Sequence, residues 1–118
     1  MNGFKVYQEH SINTQSRGRL IVMLYDGAIK FLRQAIDDLS RQDYASKGRS
    51  IARAQDILFE LNTVLDMEKG GDIAQNLRSL YNFMIRQLNQ ANLRKDPRLI
   101  EEVVSLLEEL NQGWRTIS

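Results

Sequence analysis

The chain contains no cysteine. Disulfides, cysteine-ligated zinc, iron–sulfur clusters and thiol nucleophiles are therefore excluded. Proline occurs once, as Pro97, and glycine only seven times, which is too little punctuation for the many turns of an all-β fold. Neither sign of charge is in excess. Sixteen Lys and Arg meet fifteen Asp and Glu, for a net charge of +1, so no strong field draws in nucleic acid. The loose basic cluster Arg41, Lys47, Arg49 and Arg53 lacks the row of aromatics on which bases stack. Long hydrophobic runs are missing too. The longest covers residues 20–25, far short of a bilayer span. The start of the chain carries one lysine, Lys5, and no apolar stretch of signal-peptide length, so a cytoplasmic location without membrane insertion is expected.

What the chain does have is helix formers: Glu, Gln, Lys, Arg, Leu and Ala dominate its 118 residues. That length suits one domain. An apolar content of 42% and a mean hydropathy of −0.41 fit a water-exposed fold with its own core. Stepped at 100° per residue, four segments show an apolar arc. The first, residues 17–41, places Leu24, Tyr25, Ala28, Leu32, Ala35 and Leu39 on one half of the cylinder, together with Leu20, Ile21, Ile29, Phe31 and Ile36. An arc that wide calls for two or more neighbouring helices. The second runs from a cap at Asp43 to about residue 66, with Ile51, Ala54, Ile57, Leu58, Leu61, Val64 and Leu65 as its stripe. Lys69-Gly70-Gly71 reads as its stop, with glycine as a left-handed cap. Asp72, with Gln75 three residues on, reads as the cap of the third. That stripe holds Ile73, Leu77, Leu80, Tyr81, Met84, Ile85, Leu88 and Ala91. Asp96-Pro97 opens the fourth, whose stripe runs Leu99, Ile100, Val103, Val104, Leu106, Leu107, Leu110, Trp114 and Ile117.

Four stripes, three short connectors and no strand pattern predict an all-α protein: an antiparallel four-helix bundle over residues 16–118. Residues 1–15 carry Phe4, Val6, Tyr7 and Ile12 without a clear period, and a flexible N-terminal arm is expected there.

Residues able to do chemistry are sparse. The one histidine, His10, lies in the arm. A di-iron bundle needs paired Glu-x-x-His motifs, and a catalytic triad needs a fixed imidazole. The neighbouring carboxylates Asp37-Asp38, Glu101-Glu102 and Glu108-Glu109 point about 100° apart on a helix and do not face each other. No phosphate-loop lysine follows Gly70-Gly71. The expectation is a protein without enzymatic activity, cofactor or metal. Phe59 and Phe83 fall off their stripes, and a bulky aromatic beside small residues can mark a docking groove.

An ordered set of motifs carries a family resemblance. Leu24-Tyr25-Asp26-Gly27-Ala28-Ile29 opens it, followed by Ala54-Gln55-Asp56-Ile57-Leu58 with Glu60-Leu61. Leu65-Asp66-Met67-Glu68-Lys69-Gly70-Gly71, Ile73-Ala74-Gln75-Asn76-Leu77, Leu80-Tyr81 with Met84, Gln90-Ala91-Asn92 and Trp114 come next in order. The chain resembles the flagellar secretion chaperone FliS family from Tyr7 to Trp114. The resemblance implies a cytoplasmic helical bundle that binds the disordered C-terminal segment of flagellin, delays its polymerisation and helps present it to the flagellar export apparatus, with no ATP and no metal. A flagellar regulatory protein and the export gate are further implied partners. An adaptor holding another amphipathic segment of the flagellar system is the alternative. The client contacts it implies are Tyr7, Ile51, Gln55, Leu58, Leu61, Leu65, Leu80, Tyr81 and Met84. Several of these also sit on core stripes. The arm, with Tyr7, is expected to cover the binding surface until client arrives. One departure stands out: where the family has Ser or Thr before Pro, this chain reads Ser16-Arg17-Gly18-Arg19-Leu20.

Overall fold

The computed structural model describes the backbone of residues 3–117 and the side chains of residues 17–117. Four helices follow in order: α1 (Gly3–Ser40), α2 (Tyr44–Val64), α3 (Met67–Arg94) and α4 (Pro97–Ile117). Each packs on its neighbours in sequence, and α4 closes against α1. The result is a square, antiparallel bundle. The expectation of an all-α four-helix bundle holds. The helical backbone of α1 begins well before Arg17, because a helix needs only its own i to i−4 bonds and no apolar stripe. The side chains of the arm residues, Tyr7 and His10 among them, lie outside the described residues.

The core forms where the four arcs meet. Tyr25, Leu32, Ile51, Leu58, Leu61, Tyr81, Met84, Leu88, Ile100, Val103 and Leu107 are buried there. At its centre the Tyr25 and Tyr81 hydroxyls share a hydrogen bond of 2.6 Å. Their rings meet edge to face at 6.3 Å, and Trp114 leans on Tyr25 at 6.4 Å. Burial pushes both phenols above their ordinary value of 10.0. A raised folded value means that this pair's contribution is complete below the unfolded value and is lost as pH rises toward the folded one. Lys47 works in the opposite direction. Burial, aided by Lys95, holds its ammonium below the ordinary 10.5, so its contribution grows as pH rises through its folded value. We therefore expect the wild-type denaturation midpoint to fall more steeply between about pH 9 and about pH 11 than that of the Tyr25→Phe/Tyr81→Phe double variant. Parallel pH profiles would show that the phenols do not carry the effect. Removing both hydroxyls leaves neither without its partner, so the double variant should still fold.

A second polar group is buried at the opposite edge. Asp38 has no exposed surface. Its carboxylate accepts from Ser46 Oγ at 2.7 Å, Gln34 Nε2 at 2.8 Å and Arg41 Nη2 at 3.0 Å. The Ser46 bond above all, against the cost of burial, holds Asp38 below the usual carboxylate range. This network ties the end of α1 to the first turn of α2. Beside it, Lys47 Nζ donates to the Asn92 carbonyl at 3.1 Å and to the Asn92 side chain, joining α2 to α3.

The connectors follow the cap chemistry in two of three places. Asp43 accepts from the Ser46 amide at 3.1 Å and starts α2. Asp96 accepts from the Arg98 amide at 3.0 Å and starts α4 at Pro97. The α2–α3 junction departs from expectation. The second helix stops at Val64, because Leu65 is extended and Asp66 caps the next turn by accepting from the Lys69 amide at 3.0 Å. Glycine nonetheless does what its place suggests: Gly71 has φ of +52°, a conformation that side chains with a Cβ resist, and it kinks α3 just before Asp72. The long arm of α3 thus starts where Asp72 marks it, and Met67 to Gly70 form a separate turn below.

Residues 16–20 lack the expected proline and hold Gly18 in the first turn of the bundled part of α1, at a cost of up to about 1 kcal/mol relative to alanine. We expect fast amide hydrogen exchange at residues 16–20 against slow exchange from Leu24 onward. Full protection across 16–20 would show the helix start to be firm.

Candidate docking groove

The α2–α3 junction and the stretch of α1 beside it line a groove of about 870 Å³. Leu20, Ile21 and Met23 of α1 form one wall, and Val64, Leu65 and Met67 form the other. Leu20 is 45% and Met23 69% exposed. Both walls are apolar for reasons that lie in the local sequence. Residues 20–25 are all apolar, and six consecutive residues on a 100° step must circle the helix, so some face away from the core. On the other wall, the break at Leu65 and the cap at Asp66 turn the chain before the apolar stripe of α2 has run out. The rim is charged: Arg17 and Arg19 on the α1 side, Asp66 and Glu68 on the junction side.

The residues singled out from the sequence divide into three groups. Ile51, Leu58, Leu61, Tyr81 and Met84 are buried core residues, which a partner reaches only if the bundle opens. Gln55 and Leu80 are half-buried. Gln55 Nε2 donates to the Ile85 carbonyl at 3.1 Å and to Asn89 Oδ1 at 2.8 Å, so it clamps α2 to α3, and Leu80 packs on the core. Leu65 alone among the described candidates lines the groove. Tyr7 lies outside the described residues. Leu20, Met23, Val64 and Met67 were not singled out as contacts; the all-apolar run at residues 20–25 is the signal that could have found the first two.

Two other aromatics stand on the surface as their off-stripe positions suggest. Phe59 is 55% exposed on α2 and Phe83 40% exposed on α3. The carboxylates of α4 are exposed, Glu108 paired with Arg33 and Glu102 accepting from Gln87 Nε2 at 2.7 Å. Ile73 and Ile117, placed on stripes by periodicity, are instead 72% and 76% exposed. Ile73 follows the kink at Gly71, and Ile117 is the last residue of α4. Among the described residues, no group of three or more His, Cys, Asp or Glu is placed to hold a metal. Nor, among the described residues, is any helix long and apolar enough to cross a membrane. What this arrangement offers chemically is an apolar groove with a split-charge rim.

Residues 1–118 match the family model described as "Flagellar protein FliS". The flagellar secretion chaperone FliS of Salmonella typhimurium is 43% identical, over 99% of this chain and 90% of its own length. The protein named flagellar secretion chaperone FliSB in Pseudomonas aeruginosa is 39% identical, over 100% of this chain and 97% of its own. FliS of Bacillus subtilis is 32% identical over 97% and 84%. A family match along the whole chain, with relatives 32–43% identical over most of both chains, makes this chain a member of the FliS family of flagellar secretion chaperones.

Proposed function

We propose that this protein is a cytoplasmic export chaperone, without enzymatic activity, that holds the disordered C-terminal segment of flagellin, prevents early polymerisation and assists delivery to the flagellar export apparatus. The observation that carries the reading is the groove of about 870 Å³ walled by Leu20, Met23, Leu65 and Met67. A concave, mostly apolar groove with a few charged groups at its rim is the usual form of a binding site. An amphipathic segment laid along it hides the face that otherwise pairs with other subunits. Methionines on both walls suit such a partner, because unbranched thioether side chains adapt to an irregular surface. Residues 1–15, with Tyr7, serve in this reading as a cover displaced by client.

Calorimetric titration with the C-terminal segment of flagellin from the same organism tests the reading. Ordering of the segment over apolar surface gives a large negative heat-capacity change. No heat at several temperatures, with protein shown to be folded, would turn the assignment toward an adaptor for another flagellar partner.

A further inference from the structure

We propose that the seam between α3 and α4 is a second docking surface, shaped for an amphipathic helix of another protein that has one acidic and one basic flank. The surface shares no lining residue with the groove at the α2–α3 junction. Phe83 stands on it, 40% exposed, between two hollows of about 560 Å³ and about 250 Å³. Leu106 lines the first hollow and Leu99 the second, so the apolar floor runs along the seam. Between them Gln87 Nε2 donates to the Leu99 carbonyl at 3.0 Å and to Glu102 at 2.7 Å. This pins the two helices together and makes the floor a fixed surface.

The two walls differ in sign. Residues 73–94 of α3 contain three basic residues and no acidic one, whereas α4 contributes Glu101, Glu102, Glu108 and Glu109 against Arg98 and Arg115. Arg86 and Arg94 line the α3 side of the seam; Glu101, Glu102 and Glu109 line the α4 side, with Arg98 as the one base there, already paired with Asp96. The side chains of Arg86, Glu101 and Glu109 are exposed and make no hydrogen bond or ion pair among the described residues. A helix of uniform charge is repelled by one wall. A helix with an apolar stripe, an acidic flank toward α3 and a basic flank toward α4 meets complementary charge on both sides, and Phe83 supplies the central aromatic anchor. The split also fixes direction, because turning such a helix end for end exchanges its flanks.

The probe is a pair of synthetic helical peptides of about 18 residues, five turns, with the same composition and a leucine stripe. One carries all its Glu on one flank and all its Lys on the other; its mate alternates them on both flanks. Binding is followed by amide chemical shifts of the full-length protein. We expect the polarised peptide to shift signals around Phe83 and Leu106 and to bind roughly tenfold more tightly than its mate. Phe83→Ala, and separately Glu101→Lys with Glu109→Lys, should each weaken it roughly tenfold while far-UV circular dichroism stays unchanged. The proposal is overturned by equal binding of the two peptides, by no binding, or by shifts centred on Leu20 and Leu65. It is also overturned if the chain alone dimerises through Phe83 in light scattering, or if Phe83→Ala without peptide shifts residues 1–16. Those last results assign the seam to a second copy or to the chain's own start.

Discussion

Leu58→Ala should lower the free energy of unfolding by about 2–5 kcal/mol, the usual cost of emptying a fully buried leucine site. Leu58 has no exposed surface and belongs to the central cluster with Tyr25, Tyr81 and Met84. The loss of its methyl groups leaves a cavity in that cluster, which close-packed neighbours fill only in part. Denaturant unfolding measures the effect directly. The functional corollary is specific. Any loss of flagellin binding by this variant should track the unfolded fraction and be restored by cooling or by a stabilising osmolyte. A variant that stays fully folded yet fails to bind would mean that Leu58 touches client after all, through an opened bundle.

The opposite pattern is expected at the groove. Leu20→Ser with Met23→Ser replaces two exposed apolar side chains and should change stability by no more than about 0.5 kcal/mol. Affinity for the flagellin segment should fall roughly 10- to 100-fold, since anchors in an apolar groove carry a large share of binding. Calorimetry against the same peptide reads this, with an unfolding curve as the control. Unchanged affinity would remove this groove from the client path. Together the two variants separate the residues that build the bundle from those that use it, a distinction that motif matching alone does not make.

The particular residues show how far a sequence reading reaches and why it stops. Core positions such as Ala28, Leu32, Ala54, Leu88 and Val103 follow from the 3.6-residue period alone, because a side chain's direction on a helix is fixed by its step. Asp43 and Asp96 were legible as caps because the residues after them carry the amides they accept from. Asp38 was not. It continues the line of Ala35 on the inner face of α1, but a carboxylate there reads as solvated until Ser46 and Arg41 are known to surround it. Ile73 and Leu20 fail for another reason: period gives the phase of a side chain but not whether a neighbouring helix extends far enough to cover it. The candidate contacts were the least legible part. Motifs of the second and third helices mix residues that hold the fold with residues that face outward, and Ile51, Leu61 and Tyr81 proved to be of the first kind.

The square arrangement of the helices bears on how the chain assembles. Three of the four seams join helices that are neighbours in sequence; only α1 against α4 does not. That seam is fastened by pairs far apart along the chain: Asn111 and Arg115 both donate to Asp26, across 85 and 89 residues. Local contacts form quickly, whereas bringing distant segments together carries a loop-closure cost. Zipping should therefore run hairpin by hairpin, with the last seam shut after the rate-limiting barrier. Asp26→Asn is then expected to speed unfolding in a chevron experiment and leave the folding limb almost unmoved. A slower folding limb would place the α1–α4 closure inside the nucleus. A bundle that shuts along one seam last is also one that opens there first, so the rate at which this chaperone opens should respond to the clasps along α1 and α4 as well as to the packing beneath them.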